Sequence, residues 1–392
     1  MSELLSSSGQ AVPIVAVGPA HRKRGLPREG ILWVLVTVGL IVVGMFKGIN
    51  LLILLAYLMI SVLVLNWWLS RKHLNGLQAV RVPSGTIFAG SPFLWYVEVR
   101  NDVSHVLTGW LIHDHGPSHE LGWFGVRLES GHFLRLRGEV TLPQRGIYRT
   151  EALSASTRYP FGLYARVIQL SPPEERIVLP KLGTLEMDRF RHWLTRSTRG
   201  DGRMHQRIRH LVSSEADLHG LRPFRTGDSP RWIHWRTSAR RNELMVREFE
   251  DSSPPNLMVV VEPWTPEKPS AADRLRLEWT ISLAATICKE WCREPEARLG
   301  LIIARSDAVY LQSGVGSDHA RRALECLAVE MGSPSASASQ WMENAPRTGV
   351  SQWVVLSSKP NSTVAAELTS LLGRPTATLQ PQERLAWYQV PG

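Results

Sequence analysis

Two charge-free apolar runs stand back to back near the start of this chain. Residues 31–46 read ILWVLVTVGLIVVGMF, and after Lys47-Gly48-Ile49-Asn50 a second run extends from 51 to 69. A helix needs about 20 apolar residues, at ~1.5 Å each, to cross a ~30 Å hydrocarbon layer. The first run is slightly short of that, a deficit that local bilayer thinning and an interfacial Trp33 absorb. A buried helical hairpin in a soluble core is the competing reading, and the length of the runs disfavours it. A cleaved signal peptide is disfavoured as well, because the second run follows at once and no small-residue cleavage site intervenes. The pair therefore reads as a transmembrane hairpin over residues 30–70, in contact with the lipid bilayer.

The flanks set its direction. A basic tail over residues 1–29 holds His21-Arg22-Lys23-Arg24 and Arg28, the exit holds Arg71 and Lys72, and the turn carries only Lys47. Positive residues favour the cytoplasmic side, so both ends are expected inside, on the inner membrane of a multi-pass protein, with everything after residue 72 cytoplasmic. Trp67 and Trp68 sit where an interfacial aromatic belt is expected. Lys plus Arg outnumber Asp plus Glu by 45 to 35, a net +10 that suits contact with phosphate groups at membranes or nucleic acids. Cys288, Cys292 and Cys326 have no zinc-site spacing, and Cys288 and Cys292, at i,i+4 on a helix, read as packed thiols in a reducing compartment.

Between 77 and 180 alternation replaces helical period. Residues 93–100 and 132–137 are strand candidates, separated from others by Gly, Pro, Asn and Asp clusters, and such spacing predicts a β-sandwich-like domain rather than βαβ units. His105, His113, His115 and His119 fall close together, with Asp114 and Glu120 nearby. His113 and His115 share a strand face and so could hold a metal. Solvated loop histidines are the reading favoured here, because the segment is rich in Gly and Pro, and no metal site is expected.

From 191 to 247 there are thirteen arginines, no lysine and five acids. Asp228 or Ser229 can cap a helix that starts at Pro230 and ends at Asn242, after which 244–249 alternates like a strand. On that helix Trp232 and Arg236, and Arg236 and Arg240, share a face, so guanidinium groups can stack on indole and still present a planar donor fork to carboxylates or phosphates. Equally, Arg225, Asp228, Arg231 and Glu215 can tie a loop to its domain through internal pairs.

The run from 218 to 250, with Leu-Arg-Pro-Phe, Thr-Gly-Asp-Ser-Pro-Arg-Trp-Ile-His-Trp, Ser-Ala-Arg and Val-Arg-Glu-Phe-Glu, resembles the signature of the domain-of-unknown-function 58 family. Gln144-Arg145-Gly146-Ile147-Tyr148 and Tyr159-Pro160-Phe161-Gly162-Leu163-Tyr164 also resemble it, as do the two apolar helices and the β-domain behind them. Carried onto this chain, the motif positions are Arg222, Gly227, Asp228, Arg231, Trp235, Ser238, Ala239 and Arg240 in the segment 181–250, with Glu250 closing the strand. Members often accompany MoxR-type AAA+ ATPases, and they resemble a von Willebrand factor A domain towards the C-terminus.

After a linker at 251–255, apolar runs at 257–261, 299–304 and 353–356 alternate with a helix at 275–291, as expected for strands of a mostly parallel sheet in an α/β domain over 251–392. The von Willebrand factor A resemblance implies a divalent cation held by an Asp-x-Ser-x-Ser turn, since magnesium wants near-octahedral oxygen coordination. Here the turn reads Val261-Glu262-Pro263-Trp264-Thr265-Pro266, and 353–356 runs into Ser357-Ser358-Lys359, so a degenerate domain without that metal is expected. The serine-rich stretch from Ser333 reads as a flexible loop.

A phosphate loop, a dinucleotide fingerprint, a Gly-x-Ser-x-Gly elbow and a His-Glu-x-x-His pair are all absent from the sequence; Gly314-Val315-Gly316 is too little for the second. A nucleophile set of Asp228, His234 and Ser238 is disfavoured because Asp228 precedes the helix cap. The expectation is a non-enzymatic, cofactor-free, membrane-anchored interaction or assembly factor that docks a MoxR-type AAA+ ATPase and a client complex. The alternative is binding of anionic lipid or nucleic acid through 191–247, ranked second, with nucleic acid disfavoured, because acidic motif positions interrupt the arginines.

Overall fold

The computed structural model describes residues 15–16, 25–82, 85–198, 218–224, 233–249, 256–334, 337–345, 350–373, 375–380 and 385–390. The first apolar run forms α1 (Arg28–Lys47, 20 residues) and the second α2 (Asn50–His73, 24 residues). α1 takes in Arg28, Glu29 and Gly30 ahead of the apolar run and Lys47 after it, so the helix is longer than the run it carries. Gly48 turns the chain in the left-handed region at φ 64°, where its missing Cβ removes the strain. Gly44 lets the helices close, since a Cβ there would stand 2.8 Å from Ile53 Cγ1. Trp33 Nε1 donates to Met59 O at 3.1 Å across the pair. Both helices are long and apolar enough to cross a membrane, yet only 17% and 11% of their apolar windows are buried. In the core of a soluble protein the same side chains would be mostly covered.

Two units divide the chain, Met1–Lys181 and Leu182–Gly392. In the first, β1 (Val15–Ala16) precedes the helices, and β2 (Leu77–Val82), β3 (Pro92–Asn101), β4 (Leu107–Gly116), β5 (His119–Leu128), β6 (Phe133–Thr141), β7 (Gly146–Thr150), β8 (Leu153–Thr157), β9 (Arg166–Ser171) and β10 (Glu174–Val178) follow them. They form a five-stranded sheet in the order β1-β5-β4-β8-β9, a three-stranded sheet β2-β3-β6 and a pair β10-β7, all antiparallel. Alternation puts Ala79, Val97 and Leu136 from the smaller sheet into one core with Trp110, Ile112 and Leu153 from the larger.

The second unit opens with β11 (Thr184–Leu185) and α3 (Met187–Thr198), then β12 (Leu218–Pro223), α4 (Trp235–Arg241) and β13 (Met245–Phe249). The sequence reading missed α3, although Met187, Phe190 and Leu194 recur at helical spacing and the last two are buried. Its α/β part holds β14 (Asn256–Glu262), α5 (Ala271–Trp291), β15 (Arg298–Ile303), β16 (Val309–Gly314), α6 (Gly316–Ala328), α7 (Ala338–Met342), β17 (Gln352–Ser357), α8 (Val364–Leu372) and β18 (Ala377–Leu379); β19 (Tyr388–Gln389) pairs with β11. The sheet order is β16-β15-β14-β17-β18, parallel except for the antiparallel edge β16. Every residue of β14 is buried, which is why that strand reads as an unbroken apolar run rather than an alternation. α5 begins at a capping box between Ser270 and Asp273.

The serine-rich stretch is not all loop. Ala338 is fully buried at the start of α7 and donates its backbone N–H to Glu367 Oε2 at 2.8 Å, which orders the segment from there on; residues 335–336 lie outside the described residues. Phe190 and Trp193 on α3 pack with Trp387, their ring centroids 5.2 and 5.5 Å from it.

Candidate functional site

The arginine-rich motif forms a strand–helix–strand turn. β12 and β13 pair antiparallel, with Arg222 opposite Val246 and Pro223 opposite Met245. The helix start expected at Pro230 lies outside the described residues; among those described, helix runs from Trp235 to Arg241. Ile233 makes a β-bridge to Val246, His234 holds φ −85° and ψ 81°, and its N–H donates to Met245 O at 2.8 Å, so the backbone stays extended until Trp235. His234 caps α4, its Nδ1 accepting from Thr237 N at 3.3 Å. Asn242 ends the helix in the left-handed region at φ 52°, as expected.

Ser238 faces inward. Its Oγ accepts from Met245 N at 2.8 Å and donates to His234 O at 3.1 Å, stapling α4 to β13. That bonding ties Ser238 and His234 to the turn's backbone. Residues 235, 239, 236 and 240 cover an arc of about 140° at ~100° per residue. They are exposed, Trp235 to 66%. Arg236 and Arg240 share this face, and no acid among the described residues pairs with either. Gly227, Asp228, Arg231 and Glu250 lie outside the described residues, as do Glu215, Arg225, Ser229, Pro230 and Trp232. Arg191, the first arginine of the segment, is instead engaged within its unit, its guanidinium 5.5 Å from the Trp291 ring centre and paired with Glu294.

In the α/β part the strand order reverses between β14 and its neighbours β15 and β17, so the carboxyl ends of β14 and β17 form the switch point where open α/β sheets bind ligands. Glu262 ends β14 there, 1% exposed. Ser357 Oγ donates to its Oε2 at 2.6 Å and Ser362 Oγ donates to the same oxygen, while Ser358 Oγ donates to Trp264 O at 2.8 Å. One carboxylate whose oxygen already accepts two hydroxyls, flanked by Pro263 and Trp264, does not fit the near-octahedral oxygen cage of a hard dication.

In the β-rich unit three of the four histidines sit on strands rather than in a Gly/Pro loop, while His105 lies in the bend between β3 and β4. His113 and His115 lie on β4 and His119 on β5, and the pairing of those strands gathers them. His113 Nε2 lies 2.9 Å from Ser156 Oγ, and His115 Nδ1 lies 3.5 Å from Glu120 Oε1. Among the described residues no three His, Cys, Asp or Glu converge on a common point.

The polar centre of this unit is one the sequence reading passed over. Arg81 from β2 grips Asp114 on β4 with two prongs, at 2.9 and 3.1 Å, and Trp95 Nε1 on β3 donates to Asp114 Oδ2 at 2.7 Å. Both charged side chains are fully buried. Burial pushes the Asp114 carboxyl up, but the His119 imidazole at 3.9 Å and the Arg81 guanidinium outweigh it and hold the group below the usual carboxylate range. Arg81 also donates to Glu151 O at 2.6 Å, so one guanidinium ties together both sheets and a connecting segment. The motif tyrosine Tyr148 closes its own turn, donating to Gln144 O at 3.0 Å.

Two apolar helices, an antiparallel β unit and an α/β unit that carries a cationic, tryptophan-bearing turn define the class of the protein. Residues 220–361 match the family described as Protein of unknown function DUF58, which bears out the resemblance read from the motif. A comparison with curated proteins gives no match. Among solved structures, the chain is similar to the CARDB domain of a Pyrococcus furiosus protein at 14% identity, over 26% of this chain and 92% of that one, with a TM-score of 0.21. It is also similar to a putative late embryogenesis abundant protein at 14% identity, over 31% and 84%, with a TM-score of 0.21.

Proposed function

We propose that this protein is a membrane-anchored, non-enzymatic interaction or assembly factor, which docks an acidic partner surface on the exposed face of α4. α1 and α2 cross the inner membrane as a hairpin, with the N-terminus and everything after α2 cytoplasmic, as the basic flanks favour. The antiparallel unit is a β-sandwich-like spacer, and the α/β unit is a degenerate von Willebrand factor A-like scaffold. The partner is a MoxR-type AAA+ ATPase acting on a client complex, so the energy for assembly comes from the partner's nucleotide.

One observation carries this reading: Ser238 is consumed in the backbone while Trp235, Arg236 and Arg240 present their side chains outward from a short, well-fastened helix. A rigid aromatic beside planar guanidinium forks is the composition of interface hot spots. The test is affinity capture of the tagged full chain from native membranes, alongside a W235A/R236E/R240E variant. An AAA+ ATPase recovered with the wild type and lost with the variant is the expected result, and its consistent absence from the wild-type capture would contradict the proposal.

The same face also suits phosphate. Binding to anionic lipid or nucleic acid would fall steeply as salt rises, because phosphate contacts release counterions. Retention of a protein partner in moderate salt separates the two readings.

A further inference from the structure

We propose that the connection between β8 and β9, residues 158–165, is a third membrane contact, in which Tyr159 and Phe161 enter the boundary between headgroups and acyl chains of a phospholipid bilayer. The proposal rests on the reading of α1 and α2 as a spanning pair.

The argument begins with an anomaly in α2. Apart from Ala56, its buried residues are Asn66, Ser70 and His73, a polar stripe at i, i+4 and i+7 on a helix whose apolar side chains stay exposed. In lipid such a stripe would be costly unless protein covered it, and residues 159–161 do. Asn66 Oδ1 accepts from Phe161 N at 3.0 Å, Ser70 Oγ donates to Tyr159 O at 2.6 Å, and the His73 ring stacks on Tyr159 at 4.4 Å. Arg166 donates to Ser70 O at 3.1 Å and to Asn75 Oδ1 at 2.8 Å. The other helix is held as well. Gly25 and Ala165 exchange backbone hydrogen bonds of 3.1 and 2.8 Å, and Gly30 lies so close to Leu163 that a Cβ would stand 2.2 Å from its carbonyl oxygen.

These bonds fix the depth of the segment. Asn66 precedes Arg71 by five residues, which is about 7.5 Å along the helix. Arg71 and Lys72 mark the basic rim, and each lies over an indole, at 4.5 Å from the Trp67 ring and 4.3 Å from the Trp68 ring. The backbone of Phe161 is therefore level with a point roughly one and a half turns to the membrane side of that rim. Phe161 is 54% exposed and Tyr159 41%, beside Trp67 at 40% and Trp68 at 48%. Phe161, Trp67 and Trp68 lie within about 3 Å of one level along α2, and Tyr159, held at Ser70 and His73, sits at the basic rim itself. Bounded by cations on one side and by the apolar body of α2 on the other, these exposed aromatics form the belt that a bilayer interface selects. The family-like Tyr-Pro-Phe-Gly-Leu-Tyr run thus acts as a collar that seats the β unit on the membrane.

The test uses the full chain reconstituted in vesicles of phosphatidylcholine and phosphatidylglycerol. An environment-sensitive fluorophore is placed by F161C, by Y159C as an independent second site, by L58C in mid-helix, and by V126C on an exposed strand. Cys326 is first replaced by Ala, while Cys288 and Cys292 are buried. Nitroxide lipids spin-labelled near the headgroup or deep in the acyl chain, together with aqueous iodide, report depth. The expected result is that the Leu58 label is quenched by the deep nitroxide, whereas the 161 and 159 labels are quenched by the shallow one and several-fold less by iodide than the 126 label. If the 161 and 159 labels are as open to iodide as the 126 label while the 58 label lies deep, the collar is overturned and the spanning pair stands. If the 58 label is quenched by neither nitroxide, the spanning reading itself fails, and the collar with it.

Discussion

Asp114 shows how much one side chain can hold together. It receives Arg81 from one sheet and Trp95 from the adjoining strand, and removing one partner of a buried ion pair leaves the other charge uncompensated. Asp114→Asn is therefore expected to destabilise the protein by ~3–5 kcal/mol, read as a drop in thermal midpoint by near-ultraviolet circular dichroism in detergent micelles. An unchanged midpoint would remove Asp114 from the account. Because the folded carboxyl titrates below its unfolded value, its contribution is complete above about pH 4 and is lost as pH falls through the depressed folded value. The gap between wild type and variant should accordingly narrow in acid and stay constant near neutrality. None of this is legible in the sequence, where Leu77-Gln-Ala-Val-Arg-Val82 reads as an ordinary alternation: Arg81 lies on the inward face, and its partner is 33 residues away. Ser238 was legible as a motif position but not in its role. Ser238→Ala should leave the Met245 amide without its acceptor, a loss of ~1–3 kcal/mol, seen as faster hydrogen exchange at that amide.

The cysteines follow the same logic of burial. Burial and the neighbouring Cys292 and Cys326 push the Cys288 thiol up, and burial pushes Cys292 up to about 11. As the thiolate is the nucleophile, both should resist alkylation in the folded protein near pH 8 and react once it is unfolded. Rapid native labelling of Cys288 would show that its helix is open.

At the scale of elements, hydrophobic period succeeded where one face or all faces of a segment are buried. β14 and α5 were plain for that reason, and α1 and α2 were plain as long unbroken apolar runs, although most of their side chains stay exposed. It failed where a local backbone bond overrides propensity: a continuous helix was read across Ile233 and His234, yet the bond from His234 N to Met245 O keeps those residues extended ahead of α4. It failed too for the histidines, because Gly and Pro near His113 suggested a loop while strand pairing places that residue inside a sheet. Packing between elements was also out of reach. Gly30 is an ordinary helix glycine in sequence, but the structure sets it against Leu163. Gly30→Val should force the two apart and raise hydrogen exchange at Ala165, whose amide bonds to Gly25; exchange as slow as in the wild type would mean that the contact is not formed.

For the whole molecule, the sequence carried the order of parts but not their polar centres. The family motif and the apolar pair are local signals, whereas the Glu262 cluster joins residues about a hundred positions apart and arises only when β14 and β17 lie side by side. The central claim is that a double-pass anchor presents the α4 face to a protein partner. The most direct test replaces Trp235 with a photo-crosslinking amino acid in the full chain and irradiates native membranes. The predicted result is an adduct with a protein of the AAA+ ATPase class, lost when Arg236 and Arg240 are changed to Glu. An adduct only with lipid or nucleic acid, or no adduct in membranes that hold the folded chain, would contradict it.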